Sequence, residues 1–346
     1  MAGTDTGQRA FIGSFTSEGG AGITVADLDP ESGALRPRHT TDAVTNPSYL
    51  ALAPGGDVLY TVSETDDGAA AALTVADPGR PPAPLAGPVP VRGAGPTHLA
   101  LAAGHLLTAN YVSGSVSALP VLDGGALGEP TAVFQDEGSG PHPERQRGPH
   151  AHAVHPDPSG RWLLTVDLGT DTVRIYALPG LRPHTAVPLR PGSGPRHLAF
   201  HPRGERAYLI NELEPVITTC RWDAADGTLE PLAETPVLPD ATAGACFPSE
   251  VVVRGDGRVL WAAARGSDTV TTFALDPSGD RPEPVATTPC GGSWPRDLAL
   301  GPSGRHLYAA NERSGDVTWF TVDPATGVPS RAGSLQAPAA SCVVFG

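Results

Sequence analysis

Six segments of the chain align on one another: "NPSYLALAPGGDVLYTVSE", "GPTHLALAAGHLLTANY", "HAHAVHPDPSGRWLLTVDL", "GPRHLAFHPRGERAYLINE", "FPSEVVVRGDGRVLWAAAR" and "WPRDLALGPSGRHLYAANE". They begin near Pro47, Pro96, Ala151, Pro195, Pro248 and Pro295, a spacing of about 50 residues, the range of solenoid turns and propeller blades. Each copy reads as an apolar strand, a glycine turn, a second apolar strand, and then two weaker strands such as "DVTWFTVDPATG". Four short antiparallel strands make one blade of a propeller.

A seventh copy is divided between the chain ends. "APAASCVVF" (337–345) matches a first strand and stops, while "RAFIGSFTSEGGAGITVADLDPESGAL" (9–35) supplies the other three. Joining them closes the ring and removes the open sheet edges of an unclosed array. The expected fold is therefore all-β: a seven-bladed propeller with four antiparallel strands per blade, forming one domain over 1–346, its last blade built from 337–345 and 9–35. The 42 glycines and 38 prolines are spread between short apolar runs, as many turns require.

A formal net charge of −14 argues against nucleic acid and anionic membranes as partners. All 23 basic residues are arginine, so each offers a planar fork for carboxylate or phosphate. The start, "MAGTDTGQRAF", has no signal-peptide pattern, and no apolar run is long enough for a membrane span. A cytoplasmic monomer is expected. Cys220, Cys246, Cys290 and Cys342 are far apart without CxxC spacing and read as buried thiols.

In an antiparallel hairpin, residues equidistant from the turn face each other. Centring each repeat on its turn glycine (Gly56, Gly104, Gly160, Gly204, Gly257 or Gly304) pairs Ser48 with Glu64, Thr97 with Tyr111, His152 with Leu168, Arg196 with Glu212, Ser249 with Arg265, and Arg296 with Glu312. First strands line the channel of a propeller, so the residue after each repeat-initial proline recurs around one mouth. The expected ring is Ser48, Thr97, His152, Arg196, Ser249, Arg296 and Ala339, with Glu64, Glu212, Arg265 and Glu312 behind it. Taken singly, Arg196–Glu212 and Arg296–Glu312 are ordinary rim salt bridges. Converging at a concave mouth, the same charges suit an anionic ligand.

Histidines are densest in "PHPERQRGPHAHAVHPDPSG": His152 occupies the ring slot and His150 lies two residues before it, while His142, His155 and His201 read as loop or turn residues. The HxH pair lacks third and fourth ligands at short spacing, so no metal and no cofactor are expected. Asp167 either orients an imidazole or caps a turn. Glu250, next to Ser249, joins His150, Arg296, Asp167, Glu312 and Glu64 as candidate substrate-binding groups.

The runs "GPHAH…PSGRWLLTVDLGTDTVRIY", "GSGPRHLAFHP…AYLINEL", "PSEVVVRGDGRVLWAAARGSDTV" and "WPRDLALGPSGRHLYAANERSGDV" resemble the seven-bladed propeller lactonase family, the bacterial 6-phosphogluconolactonase group that also contains fungal carboxymuconate cyclases. The resemblance covers essentially the whole chain. It implies that His152, Arg196, Glu212 and Arg265 sit where the muconate-cyclase branch holds its reacting and anion-binding groups. Asp297 departs from the pattern, standing where a His usually follows "PR", and the second repeat is two residues short at "LAAGHLL".

The implied activity is hydrolysis of a small anionic sugar-acid lactone. Glu212 or His152 would take a proton from water while Arg196 and Arg265 stabilise the oxyanion or grip a phosphate or carboxylate. A glutamate tied to Arg196 is a poor base, which moves that role to His152. Other chemistries on the scaffold are a muconate-type cyclase, a metal-dependent sugar lactonase using Glu64, Asn110, Asp167 and Asn311, and a noncatalytic propeller that binds a protein at its rim.

Overall fold

The computed structural model describes residues 8–238 and 246–346. Its strands form seven antiparallel sheets arranged as the blades of a propeller. Blades are numbered from the first complete repeat, and strands a to d run outward from the channel. The a strands touch one another in cyclic order and close the ring.

Blade 7 is the divided one. Ala340–Phe345 pairs antiparallel with Arg9–Ser14, followed outward by Ile23–Leu28 and Leu35–Thr41. In blade 1 the outer strand is broken into Ala83–Pro84 and Val89–Pro90. The sequence there, "PPAPLAGPVP", explains the break: proline donates no ladder hydrogen bond and is confined to sheet edges.

The b strands are apolar almost throughout because both their faces are covered. In blade 4, Leu209 packs toward blade 3 with Leu164 and Val166, while Tyr208 and Ile210 pack toward blade 5 with Leu260 and Ala262. The same period-two division recurs between every pair of neighbours, giving seven apolar layers and no blade with a core of its own. Aromatic residues at one repeat position peg four of these layers. Tyr60, Tyr208 and Tyr308 donate their hydroxyls, and Trp261 its indole N–H, to carbonyls of the next blade's c–d connection at 2.8–2.9 Å.

Turn glycines Gly56, Gly104, Gly160, Gly204, Gly257 and Gly304 all have φ between 68° and 76°, where a side chain would be strained. The turns are therefore centred where the repeat places them, but the register at the other end of the hairpin is not the expected one. In blade 4, Pro195 faces Asn211 and His197 faces Ile210, leaving Arg196 as the extra residue of a β-bulge. Thr97, His152, Arg296 and Ser341 are skipped in the same way, and blade 5 skips both Ser249 and Glu250. The Glu212 N–H bonds to Gly194 O at 2.7 Å, so Arg196 and Glu212 are not paired across the ladder. A bulge bends the strand and re-aims the side chain it carries, and the skipped Thr97, Arg196, Arg296 and Ser341 line one space in the channel. In blade 7 that residue is Ser341, not Ala339, which lies in the turn before the strand.

Among the described residues, no helix is long and apolar enough to cross a membrane. Cys220, Cys290 and Cys342 are buried free thiols, and Cys246 is partly buried.

Candidate active site at the channel mouth

Glu212 is the hub of the mouth. Its Oε2 accepts from Arg265 Nη2 at 2.6 Å and lies 3.4 Å from Arg196 Nε, and its Oε1 accepts from Arg145 Nη2 at 2.6 Å. Burial works to raise the carboxyl pKa, but Arg265, Arg196 and Arg145 outweigh it and hold it at about 2. Glu212 is thus a fixed carboxylate. Arg265 is anchored from behind by Phe247 O (3.2 Å) and Pro248 O, and Arg196 by Ser249 O.

Arg145 was not among the residues singled out from the sequence, because it lies outside the repeat. It comes from residues 136–150, the connection entering blade 3, where most neighbours use short links such as 91–95 or 290–294. The available signal was that length, since long connections in compact folds are commonly functional. Arg145 also donates to the Tyr111 hydroxyl at 3.0 Å. His150 stacks on the Tyr111 ring, centroids 4.6 Å apart, and its Nδ1 meets Tyr111 O at 2.8 Å.

His152 stands edge-on to Tyr111 and His197, at 5.4 and 5.2 Å between centroids. Its Nδ1 is buried without a hydrogen-bond partner. Burial, then Arg196, His197, Arg296 and Arg265, depress its pKa well below the ordinary value. The imidazole is neutral at pH 7 with an unused ring nitrogen.

Across the mouth, Arg296 donates to Glu312 at 2.9 Å, lies 3.8 Å from Glu64 and covers the Phe15 ring at 4.9 Å. Glu64 also accepts from Ser48. Asp167 lies off the ring: one oxygen accepts the N–H groups of His150 (3.0 Å) and Thr170 (2.9 Å), and the other is 3.8 Å from Arg174, so it holds the end of the 136–150 connection. Glu250 lies one tier inside. His197 Nδ1 and Glu250 Oε2 are 2.6 Å apart, and Asp297 Oδ2 accepts from Val343 N at 2.8 Å. Burial raises the pKa of both carboxyls. His155, expected in a loop, is instead in strand a of blade 3, where its Nε2 accepts from Leu198 N at 3.2 Å. His98 receives Val154 N at 3.3 Å. This inner tier therefore stitches blades 2 to 7 together. The space between it and the ring is about 10 Å³, room for one water.

Trp294 is a further residue the sequence reading passed over. Its φ of 66° belongs to the slot filled elsewhere by Gly95, Gly194, Asn46 and Ala339. A bulky side chain there is strained. The guanidiniums of Arg265 and Arg313 lie over its ring, 5.6 and 3.3 Å from the centroid.

Asn110 and Asn311 bond to side chains of their own blades, Ser115 and Ser117 for the first and Thr318 for the second. Among the described residues, no three His, Cys, Asp or Glu are grouped to hold a metal ion.

The closed ring of seven four-stranded blades, with guanidinium, imidazole and carboxylate groups gathered at one mouth, defines a seven-bladed β-propeller. The model of the seven-bladed β-propeller lactonases matches residues 9–345. The chain belongs to that family and is a lactone hydrolase. It is 30% identical over 270 residues to a 6-phosphogluconolactonase of Bacillus subtilis, covering 77% of each chain. Among solved structures, a candidate 6-phosphogluconolactonase of Bacteroides fragilis superposes with a TM-score of 0.92 at 29% identity, over 100% of this chain and 99% of that one. A periplasmic gluconolactonase of Pseudomonas aeruginosa gives 0.90 at 30% identity, over 98% of each.

Proposed function

We propose that the protein opens the lactone of a sugar acid at the Glu212–His152 side of the mouth, with 6-phosphogluconolactone as its substrate. The observation that carries this reading is the surplus of charge at the hub: three guanidiniums converge on one carboxylate. Such a site favours both an anionic substrate and a developing oxyanion.

In the proposed reaction, the neutral imidazole of His152 takes a proton from the attacking water, whose oxygen bonds to the lactone carbonyl carbon. Arg196 and Arg265 stabilise the oxyanion. The ring C–O bond then breaks, and the imidazolium returns its proton to the leaving ring oxygen, giving the hydroxy acid. Glu212 is too strongly paired to serve as the base, and in this reading it fixes the arginines. The 6-phosphogluconolactonase relative and the gluconolactonase neighbour support the substrate class.

The test is hydrolysis of freshly made 6-phosphogluconolactone beside gluconolactone, corrected for spontaneous opening. Catalysed loss of the phosphorylated lactone is expected. Decay of both at the uncatalysed rate overturns the reading.

A further inference from the structure

The three arginines around Glu212 are not equivalent. The side chains of Arg196 and Arg265 are 3% and 8% exposed and are tied to backbone carbonyls of blade 5, whereas that of Arg145 is 36% exposed. Among the described residues, Arg145 makes its hydrogen bonds through Nη2 alone, to Glu212 and the Tyr111 hydroxyl. Its Nε and Nη1 make no hydrogen bond among the described residues, and its side chain is the most exposed of the three. The connection that carries it is firmly held: Gln146, fully buried, donates to Leu168 O at 2.8 Å and accepts from His142 N at 3.0 Å, and Asp167 receives His150 N. A pre-positioned guanidinium with unused donors beside an excess of positive charge is a receptor for a multiply charged oxyanion. A phosphate monoester brings about −1.5 to −2 charges at pH 7, close to the surplus of three guanidiniums over one carboxylate.

We propose that Arg145 is the specificity-determining residue of the mouth, gripping the phosphate group of the substrate so that a phosphorylated lactone is chosen over its neutral counterpart. The proposal rests on the lactonase reading for its substrate, but its central claim, phosphate recognition by Arg145, can be read without turnover.

The first measurement is calorimetric binding of 6-phosphogluconate and gluconate, the two product acids, at fixed salt. Wild type is expected to bind the phosphorylated acid at least tenfold more tightly. Arg145→Ala should reduce that ratio to within about twofold of unity, and Arg145→Lys should restore part of it, since an ammonium keeps charge but not the fork. Arg147→Ala is the control: it lies on the same connection, donates to Pro143 O and is exposed, so it changes the net charge equally. Its ratio should match wild type. The second measurement is kcat/KM for the two lactones, whose ratio should fall at least tenfold in Arg145→Ala, mainly through KM.

Equal or undetectable binding of both acids by wild type overturns the proposal. So does an equal loss for both ligands in Arg145→Ala, the mark of a merely structural residue, or an Arg147→Ala effect as large as that of Arg145→Ala. Failure of wild type to hydrolyse either lactone would instead sink the lactonase reading, and the binding comparison would still decide the role of Arg145.

Discussion

Blades 4 and 6 carry the same two charged residues in the same repeat slots, yet the two places differ in electrostatic character. In blade 6, Arg296 serves two carboxylates, Glu312 and Glu64, and the local balance is acidic. In blade 4, Glu212 is shared by Arg196, Arg265 from blade 5 and Arg145 from the 136–150 connection, and the balance is basic. The repeat sets where a side chain emerges, and the neighbours set what it can do. An anion therefore has a reason to bind on one side of the mouth and not on the other.

The sharpest way to break this contrast is to remove each carboxylate charge. Glu212→Gln leaves Arg196 and Arg265 buried without their counter-ion, and loss of one member of a buried ion cluster typically costs about 3–5 kcal/mol. Glu312→Gln leaves Arg296 with Glu64 at a more exposed position and should cost about 1 kcal/mol or less. Urea unfolding at pH 7 measures both, and equal losses would erase the distinction.

Acid acts on the same contrast. The folded pKa of Glu212, about 2, lies below its ordinary 4.5, so its contribution is present above pH 4.5 and disappears as pH falls through 2. The difference corresponds to about 3 kcal/mol at 1.36 kcal/mol per pH unit. Glu64 has the opposite sign: burial raises it against the pull of Arg296, so its contribution is present below 4.5 and fades as pH rises through its folded value. The stability gap between wild type and Glu212→Gln should shrink toward pH 2, while Glu64→Gln should gain on wild type between pH 4 and 7. Parallel curves for both variants would contradict these assignments.

Activity gives a smaller but more specific contrast. Arg196→Ala should lower kcat/KM tenfold or more, at about 1.4 kcal/mol per decade, whereas Arg296→Ala should change it only a few-fold. Arg265 and Arg145 remain on Glu212 in the first variant, which keeps the hub carboxylate satisfied. Wild-type kcat/KM in Arg196→Ala would remove Arg196 from the site.

Much of this was legible in the chain. The period of about 50 residues, the glycine turns and the divided seventh copy reach the structure intact, since each is a local pattern repeated around the ring. What the repeat concealed was the bulge: apolar alternation fixes strand register in the buried part of a hairpin, but an extra residue at its end leaves no apolar signature. Arg196 and Glu212 consequently meet through a bent strand instead of a ladder pair, and Ser341 takes the place expected for Ala339. Arg145 and Trp294 were hidden for another reason. One sits in a connection outside the repeat, and the other in a slot where the backbone calls for glycine, so neither is announced by spacing.

The smallest expected effect concerns the two pH profiles. His152 must be neutral to accept a proton, so rates fall as pH drops below its pKa, which in the free protein is depressed by burial first and then by Arg196, His197, Arg296 and Arg265. The acid limb of kcat/KM reports the free protein and that of kcat the substrate complex. A bound phosphate offsets the arginines but leaves the burial, so the kcat limb should lie at higher pH, by roughly half a pH unit or more. Arg196→Ala should move the kcat/KM limb upward toward 6.5 and narrow the gap, because the strongest of the charged neighbours is gone, and Arg296→Ala should move it less. Limbs that coincide in wild type, or that shift equally in the two variants, would show that the proton acceptor does not feel the hub and is not His152.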